Sequence, residues 1–286
     1  MLATRRLPGP AWDELGEVEV GPASGPRDDV DVLVVTNEPV DLGNFPALRL
    51  VASYGVGYDR VDVDACAARG VAVTNTPGVL DAATADLAIA LMLAARRGVV
   101  TGDRHVRTES WGWHWAEPQS LGRDVSGTTL GIVGLGRIGS AVARRAQGFD
   151  MRVLHTRRRE GDLDELMRVS DVVSLHVPLT PETTRLITRE RLASMKDGAT
   201  LVNTARGAVV DEDALVDELV SGRISAGLDV FVREPHVPHA LFELPNVVLT
   251  PHIASATIET RSAMTRIVVD NVLAFARDAA LPTQVV

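Results

Sequence analysis

Three polar residues in the second half of the chain have the side chains needed to protonate a carbonyl group that lies beside a carboxylate. Arg206, Glu234 and His252 each follow a short apolar run that is typical of a strand. An arginine binds a carboxylate through a two-pronged, charge-assisted fork. A histidine titrates near neutral pH, so it can give a proton to a reduced carbonyl oxygen, and an adjacent carboxylate stabilises its charged form. These side chains predict a site for proton transfer to a carboxylate-bearing substrate.

A glycine-rich turn precedes these residues in the sequence. Gly134, Gly136 and Gly139 fit the pattern G-x-G-x-x-G, with Arg137 and Ile138 inside it. An apolar run comes before the turn and a helical pattern of apolar residues follows it, which is the context that a dinucleotide-binding motif requires. The turn predicts that a pyrophosphate lies over the helix N-terminus, where free N–H groups and the helix dipole favour an anion. The alternative is an ordinary α/β turn.

The predicted second strand of this motif ends in basic residues. Many NAD enzymes have an acidic residue about 20 positions after the glycine turn, where it binds the ribose hydroxyls. Here Thr156, Arg157 and Arg158 occupy that region, with Arg157 at the expected acidic position. Arginine and threonine can bind a 2′-phosphate that a carboxylate would repel, so we predict NADP(H) rather than NAD(H). The alternative is a solvated basic turn, which leaves NAD(H) as the cofactor.

Each member of the catalytic trio also has an ordinary explanation when it is considered alone. A single histidine after a proline is usually a loop or core residue. Glu234-Pro235 is compatible with a surface turn and Arg206-Gly207 with a solvated loop. Their order behind a dinucleotide motif favours the catalytic interpretation, because ligands bind at the carboxyl ends of strands in open α/β sheets.

Composition excludes several other classes of function. The net charge of −9 argues against a general nucleic-acid binder, which needs clustered Lys and Arg. The single cysteine, Cys66, excludes an intrachain disulfide and a cysteine-based zinc cluster, and no histidine spacing predicts another metal site. The N-terminus lacks the apolar core of a signal peptide, and the apolar helix near residues 82–95 is short for a membrane span. We therefore expect a cytoplasmic protein without metal, membrane or nucleic-acid partners.

Short β-branched runs alternate with helical patterns, which predicts α/β architecture with parallel sheets. Predicted strands cover residues 30–35, 48–53, 71–74, 130–134, 152–155, 172–176, 200–203, 226–229 and 247–249. Asp81 and Asp211 are predicted N-caps of helices over 82–97 and 212–220. The glycine- and proline-rich segment 8–26 is predicted to be loop-like.

These motifs together resemble the D-isomer-specific 2-hydroxyacid dehydrogenase family, and within it the glyoxylate/hydroxypyruvate reductases. The resemblance covers residues 31–276 and includes the segments 55–59 (GVGYD), 76–80 (TPGVL) and 176–180 (HVPLT). It implies two doubly wound parallel-sheet lobes. A Rossmann cofactor lobe would span residues 79–257, and a discontinuous flavodoxin-like substrate lobe would span residues 1–78 and 258–286.

The resemblance also assigns roles to residues of this chain. Arg206 would bind the carboxylate and keto oxygen of the substrate, His252 would be the proton donor in reduction, and Glu234 would pair with it. Together with the glycine turn and the basic strand end, the predicted cofactor contacts are Gly134, Gly136, Arg137, Ile138, Gly139, Thr156, Arg157, Arg158, His176, Val177, Pro178, Thr183, Thr204, Ala205, Asp229 and His252. The predicted substrate contacts are Tyr54, Val56, Gly57, Arg206 and His252.

The expected function is NADPH-dependent reduction of a small 2-keto acid, hydroxypyruvate or glyoxylate first, to the D-hydroxy acid. A reductase of bulkier 2-keto acids and a 3-phosphoglycerate dehydrogenase are alternatives within enzymes. A dinucleotide-sensing corepressor is the alternative from another class. The resemblance further implies a homodimer in which one of Trp111, Trp113 and Trp115 reaches the neighbouring subunit's site.

Two departures from the family pattern carry expectations of their own. The segment after Arg159 is shorter than the family usually has, which would expose the adenosine side of the cofactor and weaken the prediction of NADP(H). The segment before Asp31 is also short, so the substrate lobe is expected to lack an edge element.

Overall fold

The computed structural model describes residues 1–111, 121–157 and 160–286, which form two compact α/β units. Unit 1 comprises Met1–Leu80 with Ser255–Val286, and unit 2 comprises Asp81–Ala254. The strands are β1 (Leu2–Ala3), β2 (Glu19–Val20), β3 (Val32–Val35), β4 (Leu50–Ser53), β5 (Ala72–Thr74), β6 (Thr129–Val133), β7 (Arg152–Thr156), β8 (Val172–Leu175), β9 (Thr200–Asn203), β10 (Ser225–Leu228) and β11 (Val247–Leu249). The helices are α1 (Val63–Ala68), α2 (Asp81–Arg97), α3 (Val99–Arg107), α4 (Arg137–Ala146), α5 (Leu163–Val169), α6 (Arg189–Ser194), α7 (Glu212–Val220) and α8 (Ile258–Ala276).

Unit 1 contains a five-stranded parallel sheet in the order β2-β1-β3-β4-β5. This is the order of a flavodoxin-like doubly wound sheet. One hydrophobic cluster includes Leu33, Val51, Phe45 and Cys66, and Cys66 is fully buried as a small apolar residue. Helix α8 contacts β4 and the 3-10 turn at Pro10–Leu15.

The start of the chain departs from the sequence-based expectation. The segment before Asp31 supplies β1 and the edge strand β2, and Trp12 between them is 2% exposed. The expectation that the substrate lobe lacks an edge element is therefore wrong. Outside the 3-10 turn at Pro10–Leu15 and β2, residues 8–26 form a loop, as expected. Strands of two residues are too short to show the alternation that identifies longer strands.

Unit 2 contains a six-stranded parallel sheet in the order β11-β10-β9-β8-β6-β7. Helices α5, α6 and α7 supply residues to one hydrophobic cluster, and α2 and α4 supply residues to another. Neighbouring residues of one strand belong to different clusters; Leu201 lies in the first and Val202 in the second. Both faces of the sheet are therefore covered, which explains the continuous apolar runs in the sequence.

The two sheets confirm the predicted fold class. Every predicted strand is present, with ends that differ by at most two residues, and β1 and β2 are additional. Helix α7 begins after Asp211, whose side chain accepts a hydrogen bond from the Ala214 amide, as predicted. Helix α2 begins at Asp81 itself.

Candidate active site

The predicted functional residues of unit 2 follow the carboxyl ends of its parallel strands. The glycine turn follows β6, His176 follows β8, the Arg206 loop follows β9, and the loops with Glu234 and His252 follow β10 and β11. Strand order reverses at β6, which has β7 on one side and β8 on the other. Ligands of open α/β sheets bind at such a switch point, outside the carboxyl ends of the strands.

The glycine turn has the geometry that a dinucleotide pyrophosphate requires. Gly134 has φ of +98°, and a Cβ there would lie 2.7 Å from the His176 carbonyl oxygen. A Cβ at Gly139 would collide with the Gly134 carbonyl oxygen, whereas a Cβ at Gly136 would meet nothing within 4 Å. The space beside Gly136 is therefore open to a ligand. Gly136 is the N-cap of α4, and no side chain caps this helix, so its first N–H groups can bind an anion.

The end of β7 is fixed to the glycine turn by its backbone. The Thr156 carbonyl oxygen accepts hydrogen bonds from the amides of Gly134 and Leu135, both at 3.1 Å. Arg157 then pairs with Glu160 through two backbone hydrogen bonds of 3.0 and 2.6 Å. Arg157, whose side chain is exposed, thus directly follows the residue that is bonded to the glycine turn. Arg158, the other predicted contact, lies outside the described residues.

The loop after β8 packs against the glycine turn. His176 Nε2 lies 2.8 Å from Ser174 Oγ, and burial lowers the pKa of the imidazole to about 4, so His176 is neutral at physiological pH. Val177 contributes a side-chain atom 2.8 Å from the place of a Gly134 Cβ. Thr183 Oγ1 donates to the Pro178 carbonyl oxygen at 2.6 Å and accepts from the Thr180 amide, so the Thr183 hydroxyl closes this loop.

The loop with Arg206 is shaped by an asparagine that sequence analysis did not select. The buried Asn203 side chain accepts a hydrogen bond from the Ala205 amide at 3.0 Å and donates one to the Arg206 carbonyl oxygen at 2.9 Å. A Cβ at Gly207 would collide with the Phe231–Val232 backbone, so this loop lies directly against the loop after β10. An asparagine at the end of a strand is typical of such side-chain turns, and this signal was available in the sequence.

Thr204 contributes a polar atom that the described residues leave unsatisfied. Its side chain is 8% exposed, and Oγ1 has no hydrogen-bond partner within the part of the chain that the structure describes. A buried hydroxyl without a partner is costly unless a ligand completes its hydrogen bonds. The open space at Gly136 and this hydroxyl both lie at the carboxyl edge of the same sheet, so the residues present fit a bound dinucleotide.

A carboxylate and an imidazole form a pair in the loops after β10 and β11. His252 Nδ1 lies 2.8 Å from Glu234 Oε2, and the two side chains are 33% and 15% exposed. Glu234 Oε1 accepts a further hydrogen bond from the Phe231 amide at 3.1 Å, which fixes the carboxylate. Because Nδ1 faces Glu234, Nε2 is the nitrogen available to a substrate. The structure thus brings Glu234 and His252, which the family resemblance pairs, into contact.

Asp229 organises the backbone that presents His252. Its carboxylate accepts hydrogen bonds from Thr250 Oγ1 at 2.6 Å and from the amides of Ile253 and Ala254 at 2.8 and 2.9 Å. Burial raises the pKa of the Asp229 carboxyl above its usual value, and these donors oppose that rise. His252 has φ of +54°, a strained conformation for a residue with a side chain, and its amide donates to the Asp229 carbonyl oxygen at 2.9 Å. Thr250 was not selected from the sequence.

Unit 1 contains the remaining predicted substrate contacts. The Val56 and Gly57 amides have no hydrogen-bond acceptor among the residues with described positions, so both donors can bind a ligand. The position of Tyr54 differs from the expectation that its side chain contacts the substrate. It is 4% exposed and donates from its hydroxyl to the Arg261 carbonyl oxygen at 2.8 Å, so its ring packs inside unit 1.

The described residues contain neither a membrane-spanning helix nor a cluster of metal ligands. There, no helix is both long and apolar enough to cross a membrane. No group of three or more potential metal-ligating side chains lies together in residues 1–111, 121–157 and 160–286.

Comparison with known proteins agrees with these features. A model of the NAD binding domain of D-isomer specific 2-hydroxyacid dehydrogenases matches residues 89–254. A glyoxylate reductase of Pyrococcus horikoshii is 50% identical over 277 residues, which cover 90% of this chain and 83% of that protein. A crystal structure of a glyoxylate reductase from Paecilomyes thermophila gives a TM-score of 0.88 at 35% identity, covering 99% and 97% of the two chains.

A further crystal structure is of an NADPH-dependent glyoxylate/hydroxypyruvate reductase from Sinorhizobium meliloti in complex with NADP and malonate. It gives a TM-score of 0.85 at 36% identity, with 99% of this chain and 95% of that chain covered. The fold of this chain, its glycine turn and its candidate site together define a nicotinamide-dinucleotide-dependent oxidoreductase. The chain belongs to the D-isomer specific 2-hydroxyacid dehydrogenase family.

Proposed function

We propose that this enzyme reduces a small 2-keto acid, with hydroxypyruvate and glyoxylate as the first candidates, to the D-2-hydroxy acid. The observation that carries the proposal is the 2.8 Å contact between His252 and Glu234 at the sheet edge that also carries the glycine turn. The names of the relatives from Pyrococcus horikoshii and Sinorhizobium meliloti support these two substrates.

In this proposal His252 gives the proton. Bound NADPH supplies the hydride that reaches the carbonyl carbon of the keto acid. Negative charge then develops on the carbonyl oxygen, and His252 quenches it by donating the proton from Nε2. Glu234, which accepts from Nδ1, stabilises the protonated imidazole before transfer and keeps the ring oriented. In hydroxy-acid oxidation the same nitrogen takes the proton back.

Substrate binding is assigned to one side chain and two backbone amides. The half-buried Arg206 guanidinium is proposed to bind the substrate carboxylate and keto oxygen, which polarises the carbonyl and orients it. The Val56 and Gly57 amides are proposed to donate to the carboxylate. These two N–H groups have no acceptor among the described residues, which supports the assignment. The hydrogen bond from Asn203 to the Arg206 carbonyl oxygen, which shapes the Arg206 loop, supports it as well.

The proposed cofactor preference is NADP(H). The exposed Arg157 occupies the position at which NAD enzymes place an acidic residue, and Thr156 precedes it at the end of β7. An arginine there can pair with a 2′-phosphate. The relative from Sinorhizobium meliloti, whose structure contains NADP, supports the same preference.

We also propose a homodimer of this chain. Trp111, Val106 and Leu121 are each more than 60% exposed, at 65%, 63% and 62%, and tryptophan is among the residue types enriched at protein–protein interfaces. Trp113 and Trp115 lie outside the described residues. Light scattering on the purified protein tests the proposal; a monomer that retains full activity would contradict it.

Two variants test the catalytic assignment. His252→Ala is expected to remove most turnover while NADPH affinity stays near the wild-type value, because the proton donor is lost and the glycine turn is intact. Arg206→Ala is expected to raise KM for the keto acid far more than the Kd for NADPH. Normal turnover of His252→Ala, or a selective loss of NADPH binding in Arg206→Ala, would contradict these roles.

A further inference from the structure

The loop that carries the proposed carboxylate donors is oriented by the two residues after β5. The Thr76 amide donates to the Gly55 carbonyl oxygen at 2.9 Å, and Asn75 Nδ2 donates to the Val56 carbonyl oxygen at 2.9 Å. A peptide group is planar and trans, so its C=O and the next N–H point in opposite directions. Fixing the Gly55 and Val56 carbonyls therefore fixes the directions of the Val56 and Gly57 amides.

Asn75 is itself held by a segment more than 200 residues away in the sequence. Thr283 Oγ1 donates to the Asn75 carbonyl oxygen at 2.6 Å, and the Asn75 amide donates to the Thr283 carbonyl oxygen at 3.4 Å. Asn271, which is fully buried in α8, donates from Nδ2 to Thr283 Oγ1 at 2.9 Å. The Thr283 hydroxyl thus links α8 to the residue that orients the Val56 carbonyl.

The segment Thr283–Val286 has a defined place beside the sheet. The Val285 amide donates to the Val73 carbonyl oxygen at 2.7 Å, and the Val73 amide donates to the Val286 carbonyl oxygen at 3.2 Å. The side chains of Val285 and Val286 pack against the hydrophobic cluster of unit 1. Backbone pairing therefore keeps this segment in place when the Thr283 side chain is changed.

We propose that segment Thr283–Val286 positions the carboxylate-binding loop of this enzyme, through a relay from Thr283 to Asn75 to the Val56 carbonyl. Thr283 and Asn75 are positioning residues, because they fix the direction of backbone donors and contact no reacting atom. The inference rests on the proposed function, in which the Val56 and Gly57 amides bind the substrate carboxylate. The expected signature is a change in KM for the keto acid with little change in kcat.

The test compares four single variants, and the double variant that combines Thr283→Val with Asn75→Ala, in the whole chain. Thr283→Val removes the hydroxyl and keeps the shape and the backbone pairing, whereas Thr283→Ser keeps the hydroxyl. Val285→Ala is the matched control, because it removes packing from the same segment and leaves the relay intact. Asn75→Ala removes the last bond of the relay. KM and kcat for hydroxypyruvate, the Kd for NADPH, the melting temperature and hydrogen exchange of a peptide spanning residues 54–58 are measured for each.

Thr283→Val is expected to raise KM about fivefold to tenfold, which is the loss of one neutral hydrogen bond, and to speed exchange in residues 54–58. Thr283→Ser is expected to keep KM and the exchange rate near their wild-type values. Val285→Ala is expected to lower the melting temperature without raising KM. Thr283→Val combined with Asn75→Ala raises KM no further than Asn75→Ala alone.

Equal KM values for Thr283→Val and Thr283→Ser, in an active wild-type enzyme, would overturn the inference and leave the proposed function intact. So would a KM increase in Val285→Ala as large as that in Thr283→Val, since the segment would then act through stability alone. A wild-type enzyme that reduces no 2-keto acid would instead overturn the proposed function and the inference with it.

Discussion

Replacing Glu234 by glutamine isolates the charge that this account assigns to the proton donor's partner. The contact between His252 Nδ1 and Glu234 Oε2 is 2.8 Å, and both side chains are at least two-thirds buried. A hydrogen bond to an ionised group contributes about 1.5–3 kcal/mol, against about 1 kcal/mol for a neutral one. Glutamine keeps an acceptor and loses the charge, so the protonated imidazole loses about 1–2 kcal/mol of stabilisation.

This loss converts into a slower reaction. About 1–2 kcal/mol corresponds to roughly a 5- to 30-fold change in a rate constant. We therefore expect Glu234→Gln to lower kcat/KM for hydroxypyruvate reduction by that factor. NADPH affinity is expected to change little.

The assay is the initial rate of NADPH oxidation with hydroxypyruvate, with Glu218→Gln as the matched control. Glu218 is buried to a similar degree, at 19% exposed, and its Oε2 lies 2.7 Å from Arg223 Nε within the same unit. The control loses an equivalent charge and is expected to keep the wild-type kcat/KM. An unchanged kcat/KM in Glu234→Gln, or an equal loss in Glu218→Gln, would refute the reasoning.

Three other substitutions test the cofactor site and the loop that carries Arg206. Asn203→Asp loses the donor to the Arg206 carbonyl oxygen and places a carboxylate there, so KM for the keto acid should rise about tenfold in steady-state assays while NADPH affinity is unchanged. His176 has a pKa of about 4 in the folded state against an ordinary value of 6.5, so the folded form binds fewer protons than the unfolded chain between these values. Protonation therefore favours the unfolded chain, and the free energy of unfolding falls by about 3 kcal/mol as the pH drops from 6.5 to below 4. Chemical denaturation of apo His176→Asn should lack this pH dependence. Arg157→Asp should move the NADPH/NADH ratio of kcat/KM toward NADH, and an unchanged ratio would contradict the charge argument.

Much of the fold was predictable because its signals are local. The runs that form β6, β8 and β9 are apolar at consecutive positions, and such runs between turn residues identify strands buried on both faces. Asp211 precedes a helical pattern and caps α7 as predicted. The strands β1 and β2 were missed because two residues carry no periodicity, and they form only by pairing with each other and with β3.

The candidate site was predictable by residue type and less so by its supporting bonds. Each member of the trio stands in a motif, and the structure brings Glu234 and His252 into contact. Thr250 and Asn75 act through hydrogen bonds to other loops, and the partners of such bonds are fixed only by tertiary packing. Tyr54 was expected beside the substrate because it directly precedes residues 55–57, which include the proposed carboxylate donors. Successive residues at the end of a strand point to opposite sides of the sheet, and the Tyr54 ring is buried in unit 1.

The central claim is that this enzyme transfers hydride from NADPH to a small 2-keto acid and forms the D-hydroxy acid. The most direct measurement incubates the purified protein with hydroxypyruvate, with NADPH and NADH in parallel, and resolves the glycerate product on a chiral column. The account predicts faster oxidation of NADPH and a product that is D-glycerate alone. L-glycerate, or no oxidation of either cofactor with hydroxypyruvate or glyoxylate, would contradict it.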